Sequence, residues 1–399
     1  MKLSSYFLIL SGFLFAPERA HAYPEFIAYG YTSCVTCHYN TQGTGPLNDY
    51  GRALFAGEIA SRDLFDDSIT DDDLAQASGF LGSTPLPWWL RPALKYRNLW
   101  VDTNPGSSQN LKSYYLMQED VDVTIYLDHD QKYLVSGNLS YLSRPNGLGP
   151  STSAVTSSIT QVWLSRENYF RWNPIKELFV TIGLIDKVFG IRTADHTQFN
   201  RQGPGIDQYD GTTGTLTNGV MIQWNTSEHE FTLNPFIGNV NDDSSVRAKG
   251  ATFMAEFATG EKSRTGSAIL YQSTPTVTEE ALDVHEKLGL TVGSSLLSEL
   301  GYFKTKDSGL SLNTTGYYAT VENMILLHRG YNFISDVEYL KTSTDTGNQP
   351  EQFRWGLGFL VFPLPRMEFR FTALDYRTWE PTKGDKDVWN LLAQFHLSL

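Results

Sequence analysis

Cysteine, positive charge and long apolar runs are all scarce in this chain of 399 residues. Two cysteines cannot build a scaffold of several disulfides. The 44 acidic and 31 basic residues leave a net charge of −13, which argues against nucleic-acid binding because that requires a basic face. After residue 16 no run of 18 apolar residues occurs, so a bundle of transmembrane helices is excluded. A transmembrane β-barrel is not excluded. In such a barrel the apolar residues stand at every second position, so the mean hydropathy stays low, and here it is −0.29.

Residues 1–22 predict a secretory signal peptide. Lys2 supplies the positive end, residues 6–16 form a short apolar stretch, and Ala20-His21-Ala22 is a small-x-small cleavage site. We expect cleavage before Tyr23 rather than an uncleaved anchor, because the apolar run is too short to span a bilayer. The mature protein is then expected outside the bacterial cytoplasm.

Both cysteines stand in one motif, Cys34-Val35-Thr36-Cys37-His38, with the C-x-x-C-H spacing of covalent c-type haem attachment. Two thiols at this spacing add to two vinyl groups on one porphyrin edge, and the next histidine gives the iron its proximal imidazole. We therefore predict one haem c, with Cys34 and Cys37 as thioether residues and His38 as the axial ligand of the iron. A lone disulfide is an alternative. A zinc site would need a second Cys or His pair, and a thioredoxin-like site a βαβ setting.

The second axial ligand of the iron is not evident from the sequence. Residues 39–116 contain neither His nor Met. The sixth position is therefore open, weakly filled, or taken by a residue from later in the chain. An open position would also permit a haem peroxidase, provided that distal acid–base groups are present. The candidates by residue type are Met117, His129, His196, His229, His285 and His328.

The haem motif belongs to a short segment that we interpret as a small α-helical cytochrome. Apolar residues at 47, 50, 54 and 55 predict an amphipathic helix over 46–57 that packs on the haem. The acidic stretch 66–73 either caps a second short helix through Gln76 or is a solvated linker. We assign 1–22 to a signal peptide, 23–75 to a monohaem cytochrome c-like domain, 76–90 to a linker and 91–399 to a porin-like β-barrel. A domain this small buries little apolar surface, so the haem or the barrel would complete its core.

From about residue 90 onward, apolar and polar residues alternate. The alternation is clearest in the last segment, with apolar residues at 389, 391, 393, 395, 397 and 399. The pattern predicts a mainly β fold, a transmembrane antiparallel barrel of about 16 strands. Segments of this length suit a tilted membrane span better than a soluble β-sandwich, which is the alternative. The predicted strands are 93–103, 113–127, 132–143, 158–171, 177–190, 214–225, 230–239, 248–258, 264–272, 280–292, 296–305, 314–327, 332–342, 351–362, 367–378 and 387–399.

The connections between these strands are expected to alternate in length. Short turns are predicted at 128–131, 173–176, 226–229, 259–262, 328–331 and 363–366, and longer loops at 144–157, 191–213 and 379–386. Short periplasmic turns and longer outer loops are typical of outer-membrane barrels. This arrangement places both barrel termini on the periplasmic side, and the haem domain there or in the lumen.

Two weaker signals concern the inside of the barrel. Inward acidic residues would favour cations in the lumen; they are Asp120, Asp122, Glu256 and Asp283. The polar set on the loop 191–213 is either a site or a loop that pairs with itself, is solvated, or folds into the lumen. That set consists of Arg192, Asp195, His196, Arg201, Asp207 and Asp210.

In its architecture, the whole chain resembles the fused outer-membrane monohaem cytochrome–porins, whose best-known members oxidise iron. It departs from them in a Gly-rich insert between His38 and Pro46 and in ending with Leu399 rather than an aromatic residue. The resemblance implies thioether roles for Cys34 and Cys37 and an axial role for His38. The residues that carry it are Pro24, Phe26, Gly30, Cys34, Cys37, His38, Pro46, Leu47 and Gly51.

We therefore predict electron transfer at the bacterial outer membrane. A haem at or inside the barrel would link an extracellular electron donor or acceptor, with Fe(II) as one candidate, to a periplasmic electron carrier. The expected surroundings are outer-membrane lipid and no nucleic acid. Whether the protein also acts as an extracellular metal oxidoreductase is left open. The alternative function is a diffusion porin with a structural or sensory haem plug.

Overall fold

The computed structural model describes residues 24–43, 45–104, 110–145, 159–192, 198–206, 216–240, 244, 247–380 and 384–399. The predicted signal peptide lies outside the described residues. Among the residues described, no helix is both long and apolar enough to cross a membrane.

The strands of the described chain form one antiparallel sheet in which each strand pairs with its neighbours in sequence. β4 and β5 are two halves of one strand position, because both pair with β3. The barrel therefore has sixteen strand positions, as predicted. The strands are β1 (Leu90–Thr103), β2 (Leu111–Tyr126), β3 (Tyr133–Pro145), β4 (Ile159–Leu164), β5 (Asn168–Ile175), β6 (Leu178–Asp186), β7 (Leu216–Asn225), β8 (His229–Phe236), β9 (Lys249–Gly260), β10 (Ser263–Ser273), β11 (Val277–Thr291), β12 (Ser294–Asp307), β13 (Leu312–His328), β14 (Tyr331–Thr344), β15 (Gly347–Leu364), β16 (Met367–Glu380) and β17 (Gly384–Ser398).

The first and last strands close the sheet into a barrel. Lys95 of β1 lies opposite Ser398 of β17. Beyond that pair, the backbone N–H groups of Leu94 and Leu399 each donate to the other residue's carbonyl, at 3.0 and 2.7 Å. Closure pairs the first strand with the last, so that neither end of the described sheet is left as a free edge in lipid, which is the condition for a sheet to span a membrane.

The outer wall is apolar and the inner wall is polar, as β11 shows. Its Leu282 and Val284 are 46% and 53% exposed, whereas the intervening Asp283 and the following His285 are 1% and 2% exposed. A water-soluble barrel would show the opposite pattern. The exposed apolar side chains therefore form the lipid-facing surface of a membrane barrel.

The connections match the expected alternation only in the first half of the barrel. Short turns lie at 127–132, 176–177, 226–228, 261–262, 292–293, 329–330 and 365–366 on one end, here called the short-turn end. At the other end, 104–110, 146–158, 187–215 and 237–248 are long, but 274–276, 308–311, 345–346 and 381–383 are short, so the longer loop predicted at 379–386 is wrong. Strands β11 to β17 have 14 to 18 residues and are longer than the strands predicted there. Little chain is therefore left for the loops that join them at this end.

The segment before β1 contains the predicted helix near 46–57 and, of the two alternatives for the acidic stretch 66–73, the second short helix. α1 (Asp49–Leu54) runs into one π-helical turn at Phe55–Ile59. It begins later than the predicted residue 46 because Asn48 is its N-cap. α2 (Asp71–Gln76) ends at the expected residue and begins with a capping box between Thr70 and Asp73.

This N-terminal segment packs against the inside of the barrel at the short-turn end. Phe26, Leu54 and Ile59 share one apolar cluster with Met324 and Phe362 of the barrel wall. The barrel thus completes the core of the segment, as expected. Its division into a domain at 23–75 and a linker at 76–90 stays a prediction.

Candidate functional site

The predicted haem motif forms a tight turn next to the barrel wall. Cys34–Thr36 is a single 3₁₀ turn, and the backbone N–H groups of Cys37 and His38 both donate to the Cys34 carbonyl, at 3.2 and 3.0 Å. The turn therefore fixes the relative positions of all three predicted haem residues through backbone hydrogen bonds alone.

Helix α1 packs directly on this turn through Asn48 and Gly51. The Asn48 side chain donates to the Thr36 carbonyl at 2.9 Å and accepts from the Gly51 N–H at 2.8 Å. A Cβ at residue 51 would lie 2.4 Å from the Cys37 carbonyl oxygen. Only glycine lets the helix approach the motif this closely.

Both cysteines are free thiols in the structure rather than a disulfide pair. Desolvation by the surrounding protein raises the pKa of Cys34 to about 11 and that of Cys37 to about 12. Both thiols are therefore protonated at neutral pH, so neither is activated for redox or nucleophilic chemistry.

A cavity of about 1720 Å³, including its part open to solvent, lies between the motif and the barrel wall. Cys34, Cys37 and His38 line it from one side, together with the apolar side chains of Leu54 and Phe55. The opposite side is built by inward-facing residues of the barrel.

Four of these barrel residues stand side by side across β2, β1, β17 and β16. Gln118 pairs with Arg97, Arg97 with His396, and His396 with Glu368, and all four line the cavity. The Nδ1 atom of His396 lies 3.4 Å from Glu368 Oε2 and 3.3 Å from Arg97 Nη2. Its Nε2 atom is buried and has no hydrogen-bond partner among the described residues.

The residues around the cavity fit a covalent haem. The two thiols and His38 reach it from one turn, apolar side chains such as Phe55 provide surface for a porphyrin, and the lining holds the guanidinium groups of Arg97 and of Arg52, which also pairs with Asp49. The orphaned Nε2 of His396 is a nitrogen of the type that haem iron binds.

The predicted candidates for the second axial ligand are not brought to the motif: those in the described part of the chain do not line the cavity. Both ring nitrogens of His285 are used in hydrogen bonds, to Asp283 at 2.6 Å and Glu256 at 2.9 Å. His129 and His328 stack on aromatic rings where the chain turns. Met117 and His229 lie elsewhere on the barrel wall, and His196 is outside the described residues.

His396 is not among the ligands predicted from the sequence. The alternation of apolar and polar residues in the last strand could have indicated this residue, because it puts His396 on the polar, inward face. The missing information was that the motif faces β1, β16 and β17 across the cavity, which brings residues near the two ends of the chain opposite each other.

The long loop after β6 folds into the lumen, one of the outcomes considered above. Its short helix α3 (Phe199–Gln202) begins where the Phe199 N–H donates to Glu338 at 2.6 Å, and Asn200 donates to Glu299 at 3.0 Å. The predicted loop residues that are described, Arg192 and Arg201, bind Asp186 and the Phe189 carbonyl. Asp195, His196, Asp207 and Asp210 lie outside the described residues.

The predicted inward acidic residues are all buried on the inner wall; three of them pair with Lys or Arg, and Asp283 contacts His285. Asp120 pairs with Arg166, and Asp122 lies 3.9 Å from Lys95. Because this charge is balanced locally, these residues give no basis for a cation-selective lumen. The other two form a second network, Asp283–His285–Glu256–Lys287.

Around Arg264 and Asp283, the inner wall of the barrel is covered by other parts of the chain rather than open to water. Arg264, Glu256, Asp283 and Glu299 are each no more than 1% exposed. Arg264 donates to Thr32 of the N-terminal segment at 3.3 Å. Side chains that line a water-filled pore would stay exposed, so the segment and the long loop fill this part of the lumen.

No family model matches the chain, and no curated protein matches it. Solved structures do. OmpT, an outer membrane protein of Vibrio cholerae, aligns with a TM-score of 0.57 at 9% identity, covering 79% of this chain and 99% of OmpT. The outer membrane channel DcaP of Acinetobacter baumannii gives 0.55 at 10% identity, covering 78% and 97%. An anion-selective porin from Comamonas acidovorans gives 0.53 at 8% identity, covering 78% and 99%. The chain therefore has the closed antiparallel β-barrel fold of outer-membrane porins.

Proposed function

We propose that this protein is an outer-membrane electron-transfer protein with one covalent haem c inside its barrel. The observation that carries the proposal is that the C-x-x-C-H turn opens onto a cavity whose other wall is the inner face of the barrel. The protein would pass electrons between an extracellular partner on one side and a periplasmic carrier on the other. Fe(II) is one candidate for the extracellular donor.

The chain's own residues would bind, orient and shield the haem. Cys34 and Cys37 would hold it through thioether bonds, and His38 would bind the iron. Leu54 and Phe55 would exclude water from the porphyrin face, and Arg52 would neutralise a haem carboxylate. When bound, the haem supplies reversible one-electron chemistry. One haem carries one electron at a time, so the protein would act as a relay.

The barrel supports this function by its geometry. Its closed wall separates the cavity from lipid, and the segment with the motif lies at the short-turn end, which in outer-membrane barrels faces the periplasm. The covered inner wall around Arg264 and Asp283 favours a relay over an open diffusion path.

The second candidate function is a diffusion porin with a structural or sensory haem plug. The likeness of the barrel to solved porins favours it over electron transfer, as far as the barrel alone is concerned. The two functions differ in whether solutes pass through the lumen and whether the haem reacts with impermeant reagents from outside.

The first experiment asks whether haem is attached. Protein purified in detergent is denatured and reduced in pyridine, and its spectrum is compared with that of the double variant Cys34→Ala/Cys37→Ala. We expect a c-type haemochrome that the double variant lacks. Absence of haem from the natural chain, matured in a host with a c-type haem attachment system, would refute the proposal.

The second experiment separates the two functions. Whole cells are mixed with membrane-impermeant reductants, including chelated Fe(II), and reduction of the haem is followed by absorption. Reduction from outside without solute conductance in planar bilayers is the expected result. Conductance together with a haem that outside reagents never reduce would favour the porin.

A further inference from the structure

We infer that His396 is the second axial ligand of the haem iron and that Glu368 orients its ring. This inference rests on the proposed haem. It assigns the position on the iron opposite His38 to a residue of the last barrel strand, so that the barrel wall and the N-terminal segment would each supply one ligand.

The first support is the state of the two ring nitrogens of His396. Nδ1 faces Glu368 at 3.4 Å, whereas Nε2 is buried with no hydrogen-bond partner among the described residues. A buried polar atom without a partner is costly and calls for a binding role or some other explanation. Because His396 lines the same cavity as His38, iron in that cavity would supply the missing partner.

The second support is the carboxylate on the far side of the ring. Histidines that bind metals through one nitrogen usually donate their other N–H to a carboxylate or carbonyl, which fixes the tautomer and the ring orientation. Glu368 is the direct cross-strand neighbour of His396 on β16. A proton on Nδ1, directed at Glu368, leaves the lone pair on Nε2. The carboxylate can only accept, so its contact with Nδ1 requires this tautomer; Arg97 Nη2, at 3.3 Å from the same Nδ1, is a donor and then makes no hydrogen bond to that nitrogen.

The third support is elimination within the cavity. Apart from His38, the His and Met residues of the lining are His396 and Met367. Met367 is the first residue of β16, and side chains of adjacent strand residues point to opposite faces. Since Glu368 points inward to His396, the strand geometry directs the Met367 side chain to the other face, beside Leu397, although Met367 borders the cavity at the start of the strand.

Coordination by two histidines would have a functional consequence. With both axial positions taken by protein, the iron would have no open position for peroxide. This favours the relay over the peroxidase considered from the sequence.

The test measures the spin state of the ferric haem by absorption and electron paramagnetic resonance. The natural protein should be low-spin, and His396→Ala should be high-spin and return to low-spin with added imidazole. His328→Ala, which changes a histidine outside the cavity, is the matched control and should stay low-spin. The haemochrome assay on the same samples reports haem content independently of axial ligation.

Each outcome decides a separate point. Low-spin haem in His396→Ala overturns the inference while leaving the proposed function intact, and no haem in the natural protein overturns the proposed function itself. Loss of the low-spin form in Met367→Leu would identify methionine as the ligand instead. If His396→Ala does not fold, His396→Met serves in its place: it should stay low-spin with a higher midpoint potential, and an unchanged potential would contradict the inference.

Glu368→Gln tests the positioning role. Loss of the carboxylate makes the imidazole a weaker donor, so the midpoint potential should rise while the haem stays low-spin. An unchanged potential would show that Glu368 only fills space.

Discussion

Arg329, in the short turn between β13 and β14, connects the N-terminal segment to the barrel. Its Nε donates to the Ala60 carbonyl at 2.8 Å, its Nη2 to the Gly57 carbonyl at 2.6 Å, and its Nη1 pairs with Asp71 at 2.9 Å. Replacing it by methionine keeps most of the aliphatic stem and removes these three polar contacts and a longer fourth one, to the Ala56 carbonyl at 3.5 Å. We expect Arg329→Met to release the segment without unfolding the barrel.

The size of the effect follows from the exposure of the contacts. A hydrogen bond from a charged donor contributes about 1.5–3 kcal/mol when buried, but the Arg329 side chain is 26% exposed. We therefore assign about 1 kcal/mol to each carbonyl bond and about 0.5 kcal/mol to the ion pair with half-exposed Asp71. The total of about 2.5 kcal/mol corresponds to a change of roughly 60-fold in the docking equilibrium.

Hydrogen exchange in detergent measures this directly. The Ala60 N–H, bonded to the Phe55 carbonyl, should exchange about 60-fold faster in Arg329→Met, while β11 amides keep their rates. Arg377→Met is the matched control: Arg377 pairs with Asp375 and Asp387 in the barrel wall. Exchange at Ala60 within about threefold of the natural rate would refute the assigned energies.

Three further predictions concern the motif and the wall. Gly51→Ala places a Cβ 2.4 Å from the Cys37 carbonyl oxygen, which should cost about 1–3 kcal/mol in packing and lower the ratio of haem to protein in the haemochrome assay. In haem-free protein, the raised pKa values of Cys34 and Cys37, about 11 and 12, keep both thiols protonated at pH 8; alkylation should be more than about 100-fold slower than for a free peptide thiol and should accelerate as the pH rises. Val284→Arg on the lipid face should lower the free energy of unfolding in vesicles by about 2–4 kcal/mol.

Each of these predictions has its own control. Gly57→Ala meets the Asp71 carbonyl oxygen only at 3.3 Å, so its haem content should change little, and equal losses in both glycine variants would contradict the packing argument. Leu290→Arg changes an exposed apolar residue near the end of the same strand as Val284; it should cost about 0–1 kcal/mol. Fast alkylation at pH 8 would show that the motif is open to solvent.

Much of the barrel could be predicted because one physical rule governs all of its strands. A strand between lipid and a polar interior must alternate, so Leu282, Asp283 and Val284 already show which side chain faces outward. The break at 165–167, within the predicted strand 158–171, could not be predicted. There the Ser165 side chain donates to the Asn138 carbonyl, and the Arg166 N–H to the Asn138 side chain. These contacts depend on the neighbouring strand rather than on the local pattern.

The site could be predicted where its chemistry is local in sequence. Cys34, Cys37 and His38 lie within five consecutive residues, so their spacing alone predicts which residues would hold a haem. The second wall of the cavity could not be predicted, because Glu368 and His396 reach the motif only through closure of the barrel. The sequence shows that His396 faces inward, but nothing local to it shows which part of the chain lies opposite.

Closure of the barrel by its final strand also sets an order of events during maturation. Lys95 cannot pair with Ser398 until the whole chain has been exported and its last strand has folded. Until then, the segment with Cys34 and Cys37 is outside any finished wall and accessible to other proteins. Afterwards the wall surrounds it, and its thiols are desolvated. If the haem is attached, the time available for attachment ends when β17 joins β1. A variant that slows this last pairing should therefore carry more haem per chain, and one that speeds it should carry less.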